Sequence, residues 1–184
     1  SGRSSIQISP SCGRNSAVGL KGAWGNFFVG TWDSPQKLAV GKTRMLADTG
    51  FLGVTHMTFN NFSNRNAQSI NYHSPNFSGF QVMAQTTSTN PANGTTGAGN
   101  KGRLTSLAGV YAKGPLTVAL GYTVGDDNAS SIGTLGSQDK DMTVGVAYKF
   151  GPAKLGFTYY DESYQNPVAV ADIDRTAYNL ALNW

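Results

Sequence analysis

Residues 115–157 read PLTVALGYTVGDDNASSIGTLGSQDKDMTVGVAYKFGPAKLGF. Leu116, Val118, Leu120, Tyr122 and Val124 alternate with Thr117, Ala119, Gly121 and Thr123. After a polar stretch, Met142, Val144, Val146, Tyr148 and Phe150 alternate in the same way with Thr143, Gly145, Ala147 and Lys149. A period of two marks strands, because successive side chains of an extended chain point to opposite faces. Gly151-Pro152-Ala153 then turns the chain, and Leu155, Phe157 and Tyr159 resume the apolar row against Gly156, Thr158 and Tyr160.

The composition of the two faces decides what kind of sheet this is. A soluble sheet hides its apolar face under a second layer and clothes the wet face in Lys, Glu, Thr and Gln. Here the second face is mostly Gly, Ala, Thr and Ser. Strands of about 9–11 residues, apolar on one side and polar on the other, joined by tight turns at one end and long loops at the other, make a transmembrane barrel. The expected fold is therefore all-β, a transmembrane antiparallel up-and-down β-barrel; the competing reading of the pattern is a soluble β-sandwich. Tyr111, Tyr122, Tyr148, Phe150, Tyr159 and Tyr160 lie near strand ends, where aromatic girdles meet the headgroups.

Composition agrees with that fold. Among 184 residues, one domain is expected. No run approaches the ~18 apolar residues of a membrane helix, but a barrel strand shows lipid only every second residue. Charged residues make up only 13% of the chain, low for a soluble surface, and the net charge of +4 is not gathered into a basic, aromatic-interleaved patch, so no nucleic-acid partner is expected. Cys12 stands alone, which excludes a disulfide framework. The chain begins without Met or a signal peptide and so reads as processed, trimmed or partial.

Along the chain, residues 1–13 read as loop. A first hairpin joins 14–22 to 26–33, and from 34 to 64 the periodicity disappears, a length that in a compact domain marks function or disorder. Strands follow at 65–73 and 77–88, a polar loop at 89–102, and strands at 104–112 and 116 onward. Residues 126–140 and 161–174 read as further polar loops, and a last strand runs 175–184. The count is nine strands, with every long loop at one end.

At this point the residues carry a resemblance. Gly19-Leu20-Lys21-Gly22, Trp24-Gly25-Asn26-Phe27-Phe28-Val29-Gly30 and Asp33-Ser34-Pro35 resemble the mid-barrel hairpin of the general trimeric outer-membrane porins, with the β-proteobacterial porins nearest. Arg65 to Tyr72, Ser74-Pro75, Phe77-Ser78-Gly79-Phe80, Lys113-Gly114-Pro115-Leu116 and Phe150-Gly151-Pro152 resemble its later hairpins and turns. The resemblance implies a sixteen-stranded barrel, three to a trimer, of which this chain would hold about nine strands. It also implies that residues 34–64 are the loop that folds inward and narrows the pore. Thr43-Arg44-Met45-Leu46-Ala47-Asp48 resembles the loop pattern of enteric porins, with Asp48 at a constriction acid and Arg44 in place of another. Arg65 matches a constriction arginine, while Thr31 stands where many members have a second one.

Period-two phase directs Arg65, Lys21 and Lys149 to the lumen, and Arg175 with Tyr160 inward at the outer mouth. With more bases than acids there, the expectation is a weakly anion-preferring, water-filled channel for ions and small hydrophilic solutes. The implied setting is a homotrimer in the outer membrane of a Gram-negative bacterium, in contact with lipid and lipopolysaccharide. The alternative is a surface adhesin or structural β-domain without a pore.

Neither catalysis nor a cofactor is expected. Gly97 to Gly102 spells GxGxxG but leads into a strand rather than a helix, and His56 and His73 lack ligand spacing. The acid pairs Asp126 with Asp127, Asp139 with Asp141, Asp161 with Glu162 and Asp172 with Asp174 read as solvated charges flanking outer loops. Their sharper reading is divalent-cation binding, with Asp139, Asp141, Asp172 and Asp174 as the candidates.

Overall fold

The computed structural model of the chain describes residues 5–8, 15–43, 65–87, 103–126, 138–165 and 172–184. The strands are β1 (Ser5–Ile8), β2 (Ser16–Gly22), β3 (Gly25–Asp33), β4 (Arg65–His73), β5 (Phe80–Thr87), β6 (Arg103–Lys113), β7 (Leu116–Asp126), β8 (Gln138–Phe150), β9 (Ala153–Tyr164) and β10 (Ile173–Asn183). Among the described residues one helix, α1, spans Pro35–Thr43. Each strand pairs antiparallel with its neighbour in the chain, so the sheet order is β1 to β10 without a crossover. Alternation in the sequence and the all-neighbour topology agree: this is a stretch of up-and-down barrel wall.

Against the expected nine, ten strands lie among the described residues. Residues 1–13, read as loop, contain β1, whose Ser5–Ile8 pair with Val18 to Lys21 of β2. Four residues are too few for periodicity to stand out. The loops read at 126–140 and 161–174 are also shorter than expected, because β8 begins at Gln138, β9 continues to Tyr164 and β10 starts at Ile173. The extra strand residues are mostly charged or polar, and a strand that carries acids on its inner face has no hydropathy signal.

Two-residue turns close β2–β3, β6–β7 and β8–β9 at one end of the sheet, where Gly22 pairs Gly25, Lys113 pairs Leu116 and Phe150 pairs Ala153. At the other end Asp33 of β3 pairs Arg65 of β4 and Asp126 of β7 pairs Gln138 of β8. Side chains are distributed inside-out for a protein in water. Leu120 and Leu180 are 53% and 68% exposed, while Thr123 and Thr143 of the opposite face are fully buried. Burying a large aliphatic side chain stabilises by roughly 1.5–3 kcal/mol, so an aqueous fold would not leave Val18, Leu20, Phe27, Ile70, Leu107, Leu120 and Phe157 uncovered. A bilayer supplies the apolar medium instead. Among the described residues no helix is long and apolar enough to cross a membrane.

The opposite face is covered in part by α1, which packs mainly on β7, β6 and β8. Ala39 of α1 meets Met83, Ala108, Val110 and Ala119 in the largest apolar cluster, with Leu38 at its edge. The interior of this wall is thus small and mixed in polarity.

Candidate functional site

Register places a polar belt across the inner face. Asn71, Gln85, Ser106, Thr123, Asp141, Glu162 and Arg175 are successive direct cross-strand partners from β4 to β10. Gln85 Nε2 donates to Asn71 Oδ1 at 2.7 Å and Asn66 Nδ2 donates to Gln85 Oε1 at 2.5 Å. Ser106 and Thr123 hydroxyls lie 2.9 Å apart. Tyr164 Oη donates to Glu162 Oε2 at 2.9 Å, and the Arg175 guanidinium stands over the Tyr164 ring, 5.5 Å from its centroid.

Onto this belt α1 is latched by one side chain. Ser34 caps the helix, its backbone carbonyl accepting from the Leu38 amide at 3.0 Å and its hydroxyl from the Lys37 amide at 3.3 Å, with Pro35 at the first helical position. Gln36, Ala39, Val40 and Thr43, at helical spacing, then form the buried face. The Gln36 amide nitrogen donates to Asp141 Oδ2 and to Thr143 Oγ1, both at 2.6 Å, and its carbonyl accepts from Thr123 Oγ1 at 2.5 Å. Both amide hydrogens and the carbonyl are satisfied in a side chain with no exposed surface.

The wall is hollowed to receive the helix. A Cβ on Gly121 would lie 2.7 Å from Gln36 Cγ, and one on Gly145 would overlap Thr43 Oγ1. The Gly, Ala, Thr and Ser face that argued against a soluble sheet is thus the seat of α1.

The residues singled out in the sequence fall into three places. Asp48 and Arg44 lie outside the described residues, as do Cys12 and the 97–102 glycine segment. Arg65 lies at the loop-side rim. Gln68 (φ 51°) belongs to a bulge in which Ala67 and Gln68 together oppose Thr31, so the alternation reverses there. Buried Asn66, rather than Arg65, continues the inner row of Ser69 and Asn71, which corrects the phase read for Arg65. Arg65 joins a cluster around Asp33, which receives Lys37 Nζ at 2.9 Å, Arg65 Nη2 at 3.3 Å and Asn15 Nδ2 at 3.0 Å. Arg65 Nε also donates to Asn15 Oδ1 at 2.7 Å.

Lys21 and Lys149 follow the inner phase at the turn end, both exposed. Lys149 is the direct partner of Lys154, whose Nζ donates to the Lys42 carbonyl at 3.4 Å. Two ammonium groups side by side are destabilising in a dry sheet and tolerable where water reaches both. Arg175 is half-buried and partners Glu162 across β9–β10.

Asp139 and Asp141 correct the sequence reading. Rather than flanking a solvated outer loop, both are fully buried on the inner face of β8, where they cannot reach lipopolysaccharide. Asp172 and Asp174 are exposed at the start of β10. Among the described residues no group of three or more His, Cys, Asp or Glu is arranged to hold a metal. Sequence reasoning missed Gln36, Asp33 and Lys154. Ser34-Pro35 was a legible start signal for α1, and equal phase about the Gly151-Pro152 turn pointed to Lys154.

An exposed apolar face, a polar face opposite it and a helix folded onto that polar face define a segment of a transmembrane β-barrel wall. The sequence matches the family of Gram-negative porins over residues 4–184, and the chain belongs to that family. No curated protein matches it. Among solved structures, the anion-selective porin from Comamonas acidovorans is similar with a TM-score of 0.74 at 22% identity, over 92% of this chain and 52% of that one. Outer-membrane expressed OmpT of Vibrio cholerae gives 0.68 at 19% identity, over 96% and 56%. The trimer form of in-vitro folded OmpT from the same organism gives 0.67 at 18% identity, over 92% and 53%. The likeness is one of fold, and the chain spans about half the length of these porins. The fold is that of a porin barrel wall, and the place is the outer membrane.

Proposed function

We propose that the protein is a passive, water-filled diffusion channel for ions and small hydrophilic solutes, weakly anion-preferring, and not an enzyme. The observation that carries this is α1 laid across the polar concave side of a sheet whose convex side is apolar. A surface domain without a pore has no use for a hydrated interior. In this reading residues 34–64 narrow the pore, with Asp48 and Arg44 in the narrowing segment and Arg65 beside Asp33 at its base. The inner-face acids Asp141 and Glu162 are buried, whereas Lys21, Lys42 and Lys149 are exposed. Permeating ions would meet ammonium groups first, which favours anions. Arg175 adds a base at the outer mouth. The protein would work as a homotrimer, as the trimeric OmpT likeness supports, with lipid against the apolar rows and lipopolysaccharide at the outer loops.

The test is planar-bilayer recording of the full-length protein in a KCl gradient. Stepwise openings in threes, with a reversal potential on the chloride side that moves toward potassium in Lys21→Glu/Lys149→Glu, are expected. Folded protein that never conducts would remove the channel reading. A reversal potential unmoved by the double variant would keep the channel and discard the lysine charge map.

A further inference from the structure

Charge on this wall is sorted along the strands. Among the described residues no Asp or Glu lies in the half of any strand at the end of the two-residue turns, whereas Lys21, Lys113, Lys149 and Lys154 all do. Lys149 and Lys154 are direct partners across the β8–β9 hairpin. The Lys149 amide donates at 2.9 Å to the Pro115 carbonyl, on the side away from β9. The two lysines are therefore a non-hydrogen-bonded pair, the kind in which Cα atoms stand about 4.5 Å apart and side chains lie closest.

Both side chains follow the inner phase, and Asn183 of β10 continues the row as the direct partner of Lys154. Lys154 is half-buried and its Nζ donates to the Lys42 carbonyl at 3.4 Å, which leaves two of the three ammonium donors. The next inner pair, Ala147 and Gly156, has no polar side chain, so the wall itself supplies no counter-charge. Like charges directly opposite destabilise a sheet. Water makes the pair tolerable, and an anion between the two ammonium groups makes it favourable. An ion with two charges answers this spacing better than two chlorides. Once one oxygen is held, contact with the second ammonium is intramolecular and costs no second loss of translational freedom. A further oxygen can accept from the Asn183 amide.

We propose that Lys149 and Lys154, with Asn183, form a binding site for compact oxyanions carrying two negative charges at the turn end of the inner face. Lys21 is the contrast within the same wall: it shares the phase and the end, but its direct partner is the neutral Asn26. The proposal deepens the anion preference and rests on the channel reading for its role in transport, though not for the binding itself.

Sulfate serves as the probe, with nitrate as the oxyanion of single charge. Equilibrium dialysis against the detergent-folded full-length protein, at constant ionic strength, reads binding without any conductance. Sulfate is expected to bind saturably and to resist displacement by equimolar nitrate. Lys149→Gln and Lys154→Gln should each weaken it about tenfold, the loss of one charge-assisted hydrogen bond; Lys21→Gln should leave it unchanged. Because Lys149→Gln also relieves the repulsion, it should melt no lower than wild type without sulfate. Millimolar sulfate should then raise the melting temperature of wild type and not of the variant. In bilayers, sulfate should reduce the KCl current of wild type more than that of Lys149→Gln. Equal weakening by Lys21→Gln, or a sulfate constant unchanged in both Lys149→Gln and Lys154→Gln, would overturn the proposal. Sulfate bound by folded protein that never conducts would sink the channel and leave the site. Conductance without saturable sulfate binding would do the reverse.

Discussion

The two halves of the concave wall treat the same helix in opposite ways. On β7 and β8 the wall is small, and α1 sinks into it until Gln36 and Thr43 lie against Gly121 and Gly145. On β3 to β5 the wall carries Phe28, Trp32, His73 and Met83, and an open alcove remains beside the helix. Side-chain volume decides the difference. A backbone can approach a sheet closely only where Cβ atoms are missing or small, and bulky rings keep it away. The small half fixes the helix, and the aromatic half shapes the space that the helix leaves open.

The largest break in this comparison is Gly145→Val. The added side chain would occupy the space of Thr43 Oγ1, and overpacking of this kind costs about 1–3 kcal/mol. It should lift the C-terminal end of α1, shift the single-channel conductance and raise its noise, and lower the melting temperature in detergent. His73→Phe, a similar ring on the aromatic half that removes a buried nitrogen without a hydrogen-bond partner among the described residues, should leave conductance nearly unchanged and should hold or raise the melting temperature. Equal effects from the two substitutions would mean that the halves do not differ as described.

A smaller break is Gln36→Ala. It strands Asp141, Thr143 and Thr123, three partners of one amide, and unsatisfied buried groups cost about 1–3 kcal/mol. Because these partners also share hydrogen bonds with each other and with Ser106, the loss should fall in the lower half of that range. Removing an acceptor as well, in Gln36→Ala/Thr143→Val, should cost less than the two single losses added together, as expected for residues in one network. Strict additivity of melting shifts would show that the latch is not a unit.

These features were unequally visible in the sequence. Strands β7 to β9 announced themselves through clean alternation, because one face had to be apolar for lipid and the other small, whereas β6 was less clearly patterned. The helix did not, because its buried face is Gln36, Ala39, Val40 and Thr43 and it packs on an equally mixed wall. Hydropathy cannot mark a helix whose partner surface is polar, and only the Ser34-Pro35 cap was legible. The strand ends at Asp139, Asp141 and Glu162 were hidden for the same reason: acids on a polar inner face look like loop. Arg65 was misphased by a bulge at Gln68, and a one-residue insertion leaves no trace in composition. The resemblance to porins led to the expectation that segment 34–64 turns inward; of that segment, the described part, α1, lies on the inner face of β6 to β8.

The smallest effect is expected at the rim, where it sharpens the contrast between seat and surface. Asp33 gathers Lys37, Arg65 and Asn15 just before the cap of α1, with side chains that remain 14–27% exposed in the ion pairs. Water and salt screen such pairs, and exposed ones contribute about 0.2–1 kcal/mol. Asp33→Asn should therefore lower stability by less than Gln36→Ala, and the wild-type difference should shrink as salt is raised. Conductance should stay as it is, because the glycine seat and the Gln36 latch still hold the helix. A loss from Asp33→Asn as large as that from Gln36→Ala, and equally large in high salt, would place the anchor of α1 in the charges at its start rather than in the small-residue wall.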